Sequence, residues 1–377
     1  MRIAVVTLPL HTNYGGVLQA YALRKVLADM GHQCDLIDRE CKLAMPPSWK
    51  MPLIHLKRMY INAATFGKGP EVFREKRIMK ELPVVGEEIL RFTDKYISPR
   101  VVRKYSDVRM GEYDAFIAGS DQIWRPAYFG DIEDAFLKFT GNWNVKRLAY
   151  AASFGTDVLE YTYKQLEVCS GLLRKFDAVS VREQGAVVLC DEWFEREDAV
   201  HVLDPVMLLD REHYSALASE AASRPARGKV LSYILDKSEE KSAVAALASK
   251  WLSSEIYDAS VNPRDPDRPL EERIVPSMEQ WLACFEDADF VVTDSFHGCV
   301  MSLLFHKPFL VLGNASRGLS RVTSLLDMFG LEDRLVQGID PEDDGVYYIS
   351  GIDWNHVDAV LDEWRRRSID FLKKSLR

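Results

Sequence analysis

Between Phe290 and Asn314 the chain reads FVVTDSFHGCVMSLLFHKPFLVLGN, an apolar run, a polar turn, an apolar helix-compatible stretch and a second apolar run. Phe290 to Thr293 carries β-branched residues and reads as a buried strand, and Phe309 to Leu312 reads as another. The polar turn is Asp294 to Gly298, the helix follows from Cys299, and His306-Lys307-Pro308 closes it. Strand, helix and strand in this order form the repeat of a parallel α/β sheet. Ligands of such sheets bind beyond the carboxyl ends of the strands, where Asp294, Ser295, His297 and Gly298 fall. Asp294 or Ser295 can cap the helix, its first N–H groups can hold an anion, and a histidine there can move a proton near neutral pH. The plainer alternative is a simple cap and a histidine that only hydrogen-bonds a neighbouring loop.

The same pattern recurs along the chain. Ile3 to Leu8 is the first strand, and His11 to Gly16 is a polar loop. Val17, Ala20, Leu23, Leu27 and Met30 have helical spacing up to Gly31, and Cys34 to Ile37 is the second strand, ending at Asp38. This βαβ opening lacks GxGxxG, but Asn13, Gly15 and Gly16 can lay an amide and backbone N–H groups against a ligand. Further strands end at Gly119-Ser120-Asp121, at Ser153-Phe154-Gly155, at Arg182-Glu183 and at Asp204-Pro205. A guanidinium placed directly after a strand, as at Arg182, can fork onto a phosphate or carboxylate, or hold a neighbouring acid in an ion pair. Arg321, near the start of a helix expected over 316–329, is a weaker candidate that reads mostly as a surface charge.

With 377 residues there is room for two domains. The expected boundaries are 1–210, with a basic helical insertion at about 41–108, then 228–350, and a last helix at 351–377 that packs back on the first domain. From Lys50 to Lys80 eight basic residues face two acidic ones, in a chain whose net charge is −9. That segment reads either as a solvated helix face or as a lobe for an anionic partner, a phospholipid-linked glycan or a membrane surface. The overall charge argues against a nucleic-acid partner. Six cysteines without a CxxC pair fit a reducing compartment, and no run is long enough to span a membrane. The expected location is therefore cytoplasmic, with the inner membrane face left open. No cluster has metal-ligand spacing, so no metal is expected, and no cofactor is expected either.

Taken together, Asn13-Tyr14-Gly15-Gly16 with Val17 to Tyr21, Gly119 to Trp124, Ser180 to Glu183, Asp204-Pro205 and Asp294 to Gly298 resemble the polysaccharide pyruvyl transferase family. The resemblance covers roughly Ile3 to Gly330. It implies two Rossmann-like domains facing across a cleft, as in B-type glycosyltransferases. It also implies transfer from phosphoenolpyruvate, as donor substrate, onto two hydroxyls of a sugar or lipid-linked oligosaccharide, giving a pyruvate ketal. His297 matches the family's histidine and Arg182 its arginine, which makes these two the expected catalytic pair. Asn13, Gly15, Gly16, Ser120, Asp121, Ser153, Asp294, Ser295, Gly298 and Arg321 are the expected substrate contacts. Two positions depart from the better-known members: Ser295 stands where they have Arg, and Gly16 where they tend to have an acid. A nucleotide-sugar-dependent glycosyltransferase and a non-catalytic member of a polysaccharide assembly stay open beside this reading.

Overall fold

Short runs of Val, Ile, Leu, Ala and Phe order the chain into two parallel sheets. A computed structural model describes residues 1–39, 50–66, 69–265, 267–314 and 318–377. The first sheet is built from β1 (Arg2–Val6), β2 (Gln33–Arg39), β3 (Arg100–Val102), β4 (Ala115–Ala118), β5 (Lys146–Ala152), β6 (Ala178–Val181) and β7 (Val200–His201). Their order is β3-β2-β1-β4-β5-β6-β7. Helix α1 (Tyr14–Asp29) joins β1 to β2. Helices α2 (Met51–Ala64), α3 (Arg74–Val85) and α4 (Glu87–Phe92) lie between β2 and β3, and α5 (Ile132–Ala135), α6 (Tyr163–Leu173) and α7 (Gln184–Phe194) complete this half. Helix α8 (Arg211–Ala218) crosses to the second sheet, made of β8 (Val230–Tyr233), β9 (Ile256–Asp258), β10 (Phe290–Thr293), β11 (Phe309–Leu312) and β12 (Leu335–Val336) in the order β12-β11-β10-β8-β9. Its helices are α9 (Glu239–Leu252), α10 (Met278–Asp287), α11 (Phe296–Leu304), α12 (Leu319–Phe329) and α13 (Val346–Ser350), and the chain closes with α14 (Trp354–Ser375).

The inner strands are buried along their whole length, as parallel strands covered by helices on both faces must be. One apolar cluster covers a face of the first sheet and continues into the second domain, taking in Val17, Met207, Trp281, Met301 and Leu361. Tyr14 stacks on Trp281 with ring centroids 5.0 Å apart and donates its hydroxyl to the Pro276 carbonyl at 2.7 Å. Helix α14 reaches back to the first sheet. The Leu203 amide donates to Ser368 Oγ at 3.0 Å, and Arg365 donates to the Met207 and Leu209 carbonyls at 2.7 and 2.8 Å.

Two helix starts lie earlier than the sequence reading places them. Helix α1 begins at Tyr14, so Gly15 and Gly16 occupy its first turn and not a loop. Helix α11 begins at Phe296, which puts His297 on a helix. Polar and glycine residues look like loop in sequence, but a capped first turn tolerates them. Strands β3 and β12, three and two residues long, were not read from sequence because so short a run has no periodicity to detect. The first residues of the helix expected over 316–329 lie outside the described residues, and so does part of the expected insertion.

Candidate active site between the two domains

Each sheet has a point where the chain order reverses, and in open α/β sheets that is where ligands bind. In the first sheet it lies between β1 and β4, next to Asn13 and Asp121. In the second it lies between β8 and β10, next to Asp236 and His297. A cleft of about 900 Å³ joins the two, with Asn13, Asp121, Asp236, Asn262, His297 and Arg321 on its walls. That volume is enough for a small-molecule ligand.

His297 stands in the first turn of α11. Ser295 caps the helix, its hydroxyl accepting the Gly298 N–H at 3.4 Å. The imidazole reaches across the domain boundary: Nε2 lies 3.8 Å from Asp204 Oδ2, and a Cβ on Gly15 would come within 2.0 Å of Nδ1. Gly15 is thus the space into which the ring fits. His297 Nε2 is buried and hydrogen-bonds to no described protein group. Burial lowers the pKa of His297; Asp204 pulls it up and Arg182 pushes it down. Gly298 allows α11 to pass close to β10, since a Cβ there would meet Thr293 Oγ1 at 2.3 Å.

Of the two roles open to Arg182 from sequence, a ligand fork and an ion pair with a neighbouring acid, the structure shows the ion pair, with other acids than Glu183. The Arg182 side chain is fully buried and donates to Asp204 Oδ2 at 2.6 Å and to Asp121 Oδ1 at 2.7 Å. Glu183, the neighbour suggested by sequence, is 3.9 Å away. The guanidinium also lies 4.7 Å from the Phe296 ring centroid, and Phe296, unlike Arg182, lines the cleft. Burial opposes its charge, but Asp121 and Asp204 hold the pKa above the ordinary arginine value. Burial likewise opposes ionisation of Asp121, yet Arg182, His297 and Arg321 keep its carboxyl below the usual range. Burial raises the pKa of Glu183, whose carboxylate accepts the Phe154 N–H at 3.2 Å.

Arg321, read from sequence as a surface charge, is only 6% exposed. It sits in the first turn of α12 on the cleft wall, 5.8 Å from the Phe296 centroid. Burial, and then the nearby Arg182, push its pKa down to about 10. Asp121 and Glu183 act against that lowering.

The remaining expected contacts divide. Asn13 is exposed on the cleft wall, and its side chain makes no capping bond. Gly16 is near Asn13 and Asp121, each 3.4 Å or more from a Cβ built there. Ser120 is fully buried and serves the backbone: its hydroxyl donates to the Ala151 carbonyl at 3.1 Å and its amide donates to Gln19 Oε1 at 3.1 Å. Ala151 has a left-handed φ of 50° at a register shift in β5, so Ser120 supports an irregular strand end and does not face the cleft. Ser153, also fully buried, accepts the Gly155 N–H at 3.0 Å. Asp294 accepts the Leu235 and Asp236 amides at 2.6 and 3.1 Å and Lys241 Nζ at 2.6 Å, which ties β8, α9 and β10 together. Sequence reasoning marked Asp204 as a strand end and as part of the family resemblance, but did not count it among the site residues. Nor did it count Phe296 and Gln19.

No curated protein matches the sequence. Arabidopsis thaliana UGT89C1, solved with UDP-L-rhamnose, matches 98% of this chain and 97% of its own at 10% identity, with a TM-score of 0.51. The S. aureus MnaA structure with UDP matches 100% and 97% at 11% identity, with a TM-score of 0.48. The fold is the two-domain, B-type glycosyltransferase-like architecture. The family model described as polysaccharide pyruvyl transferase matches residues 13–316, from the Asn13 cap through the His297 helix, and the chain belongs to that family of transferases.

Proposed function

We propose that this transferase moves the enolpyruvyl-derived unit of phosphoenolpyruvate onto two hydroxyls of one sugar in a cell-surface polysaccharide or its precursor, forming a pyruvate ketal and releasing phosphate. The observation that carries the reading is the His297 imidazole, whose buried Nε2 hydrogen-bonds to no group among the described residues and which lines the cleft together with Arg321. The donor's methylene carbon takes a proton from His297 and becomes a methyl group. The adjacent carbon gains positive character and a sugar hydroxyl adds to it. The bond from that carbon to the phosphate oxygen then breaks, and the second hydroxyl adds in its place. One hydroxyl proton returns to the imidazole and the other leaves with the phosphate. Arg321 and the positive end of α11 stabilise the charge that builds on the departing group.

The lowered pKa leaves His297 neutral in the empty cleft at pH 7. A phosphate dianion beside it favours the imidazolium, so donor binding loads the acid with the proton it later delivers. Calorimetric titration of phosphoenolpyruvate in buffers of different ionisation enthalpy reads this as net proton uptake. The reaction itself is tested by mass spectrometry of nucleotide and lipid-linked sugars incubated with phosphoenolpyruvate and the protein. His297→Ala should lower turnover about a hundredfold or more while donor binding persists, the scale of a positioned acid. Stabilisation by a UDP- or GDP-sugar, with none from phosphoenolpyruvate, would move the assignment to a glycosyltransferase.

A further inference from the structure

Helix α2 leaves an apolar stripe in solvent. None of its fourteen residues is buried. Its less exposed side is mixed: Met51, Ile54 and Ile61 lie there with Arg58, which donates to both Glu75 carboxylate oxygens at 2.7 Å, and Asn62, which donates to the Pro70 carbonyl at 2.7 Å. Its outward side is apolar. Leu53, Leu56 and Tyr60 recur at i, i+3 and i+7 with Met59 beside them, and these four are between 53% and 76% exposed. Phe66, just beyond the helix, is 96% exposed. A water-facing helix normally turns its outer side polar, and a contiguous apolar stripe left in solvent marks an interaction surface.

The charges around the stripe have one sign. Lys50 and Lys57 lie along its edge, and Arg74, Lys76 and Lys80 are exposed on neighbouring α3. Glu71, Glu75 and Glu81, the acids of this segment, are all engaged by arginines: Glu75 by Arg58, Glu71 by Arg77, and Glu81 by both Arg77 and Arg273. The lobe therefore shows water an apolar stripe bordered by cations, in a chain of net charge −9. Among the described residues no helix is long and apolar enough to cross a membrane.

We propose that the outer face of α2, with the exposed cations of α3, docks the protein onto an anionic lipid bilayer from one side. The apolar residues enter the headgroup boundary and the cations meet lipid phosphates. The far end of α3 is tied to the cleft lining, where the Val85 carbonyl accepts the Val275 amide at 2.8 Å. The inference goes beyond the ketal-forming reading and holds whatever the reaction is.

The test is flotation of the full-length protein with phosphatidylcholine vesicles, with and without about one-quarter phosphatidylglycerol, at low and high salt. Binding to the anionic vesicles should be about tenfold or more tighter than to the neutral ones, and should weaken with salt. The double variant Leu56→Glu with Tyr60→Glu should abolish it, and Lys76→Glu with Lys80→Glu should weaken it. Tyr163→Glu, at a 93% exposed position on α6, should leave it unchanged. Far-ultraviolet dichroism of each variant checks folding. Absence of binding to anionic vesicles at low salt, or binding that survives the Leu56/Tyr60 change, would overturn the proposal. So would a concentration-dependent dimer in sedimentation that the Leu56/Tyr60 change abolishes, since a second copy would then cover the stripe.

Discussion

Arg182 gives one arm of its guanidinium to Asp204 and the other to Asp121, and all three groups are shut away from water. Lysine would keep the charge but cannot present two donors in a fixed plane. Arg182→Lys should therefore leave one buried carboxylate unpaired, at a cost of about 1–3 kcal/mol of stability. Denaturant unfolding reads that loss directly. Asp204 and Asp121 also face His297 electrostatically, so turnover should fall with stability. If the variant unfolds like the parent but binds donor poorly, Arg182 is a ligand contact and its burial here is not its working state.

At the scale of an element, the first turn of α1 is the informative case. Alanine in a helix interior is ordinarily favoured over glycine by about 1 kcal/mol. At position 15 that gain meets the imidazole of His297, which an added Cβ would overlap. At position 16 the same methyl finds only ordinary contacts with Asn13 and Asp121. Gly15→Ala should thus displace His297 and cost about tenfold to a hundredfold in turnover, the range expected of a misplacement near 1 Å. Gly16→Ala should be close to neutral. Parallel rate measurements on the two variants settle it, because equal losses would mean that helix geometry, and not room for the ring, explains the glycines.

Across the whole molecule, one apolar cluster runs through both domains, and α14 bridges from the strand ends near Leu203 to α12. Domains joined by a small polar interface move independently, whereas a large apolar one couples them. Leu372 is fully buried on α14 within this cluster. Leu372→Ala should cost about 2–5 kcal/mol, and calorimetry should show one transition shifted down as a unit. Two separated transitions would show that the domains fold independently despite the shared core.

The alternation of four-residue apolar runs with helical spacing was enough to determine the parallel α/β class and the polar strand ends. Both are local patterns, written within a dozen residues. His297, Asn13 and Asp121 could be named from sequence because a residue just past a parallel strand has few places to go. The partners of Arg182 could not be named, since Asp204 and Asp121 lie 22 and 61 residues away and only the stacking of β4, β6 and β7 brings them to it. The burial of Arg321 had the same origin: Val322, Leu325, Leu326 and Phe329 mark the buried face of its helix, but that Arg321 is covered with them was decided by what packs against it. Ser120 and Ser153 looked like cleft residues for the converse reason, because the hydroxyls that secure an irregular strand end are indistinguishable in sequence from hydroxyls that meet a ligand. In α2 the spacing of Leu53, Leu56 and Tyr60 describes an apolar face, but whether that face points to a core or to water was decided only by which side Arg58 and Asn62 bind. Periodicity records which residues share a face; only the tertiary packing determines what that face meets.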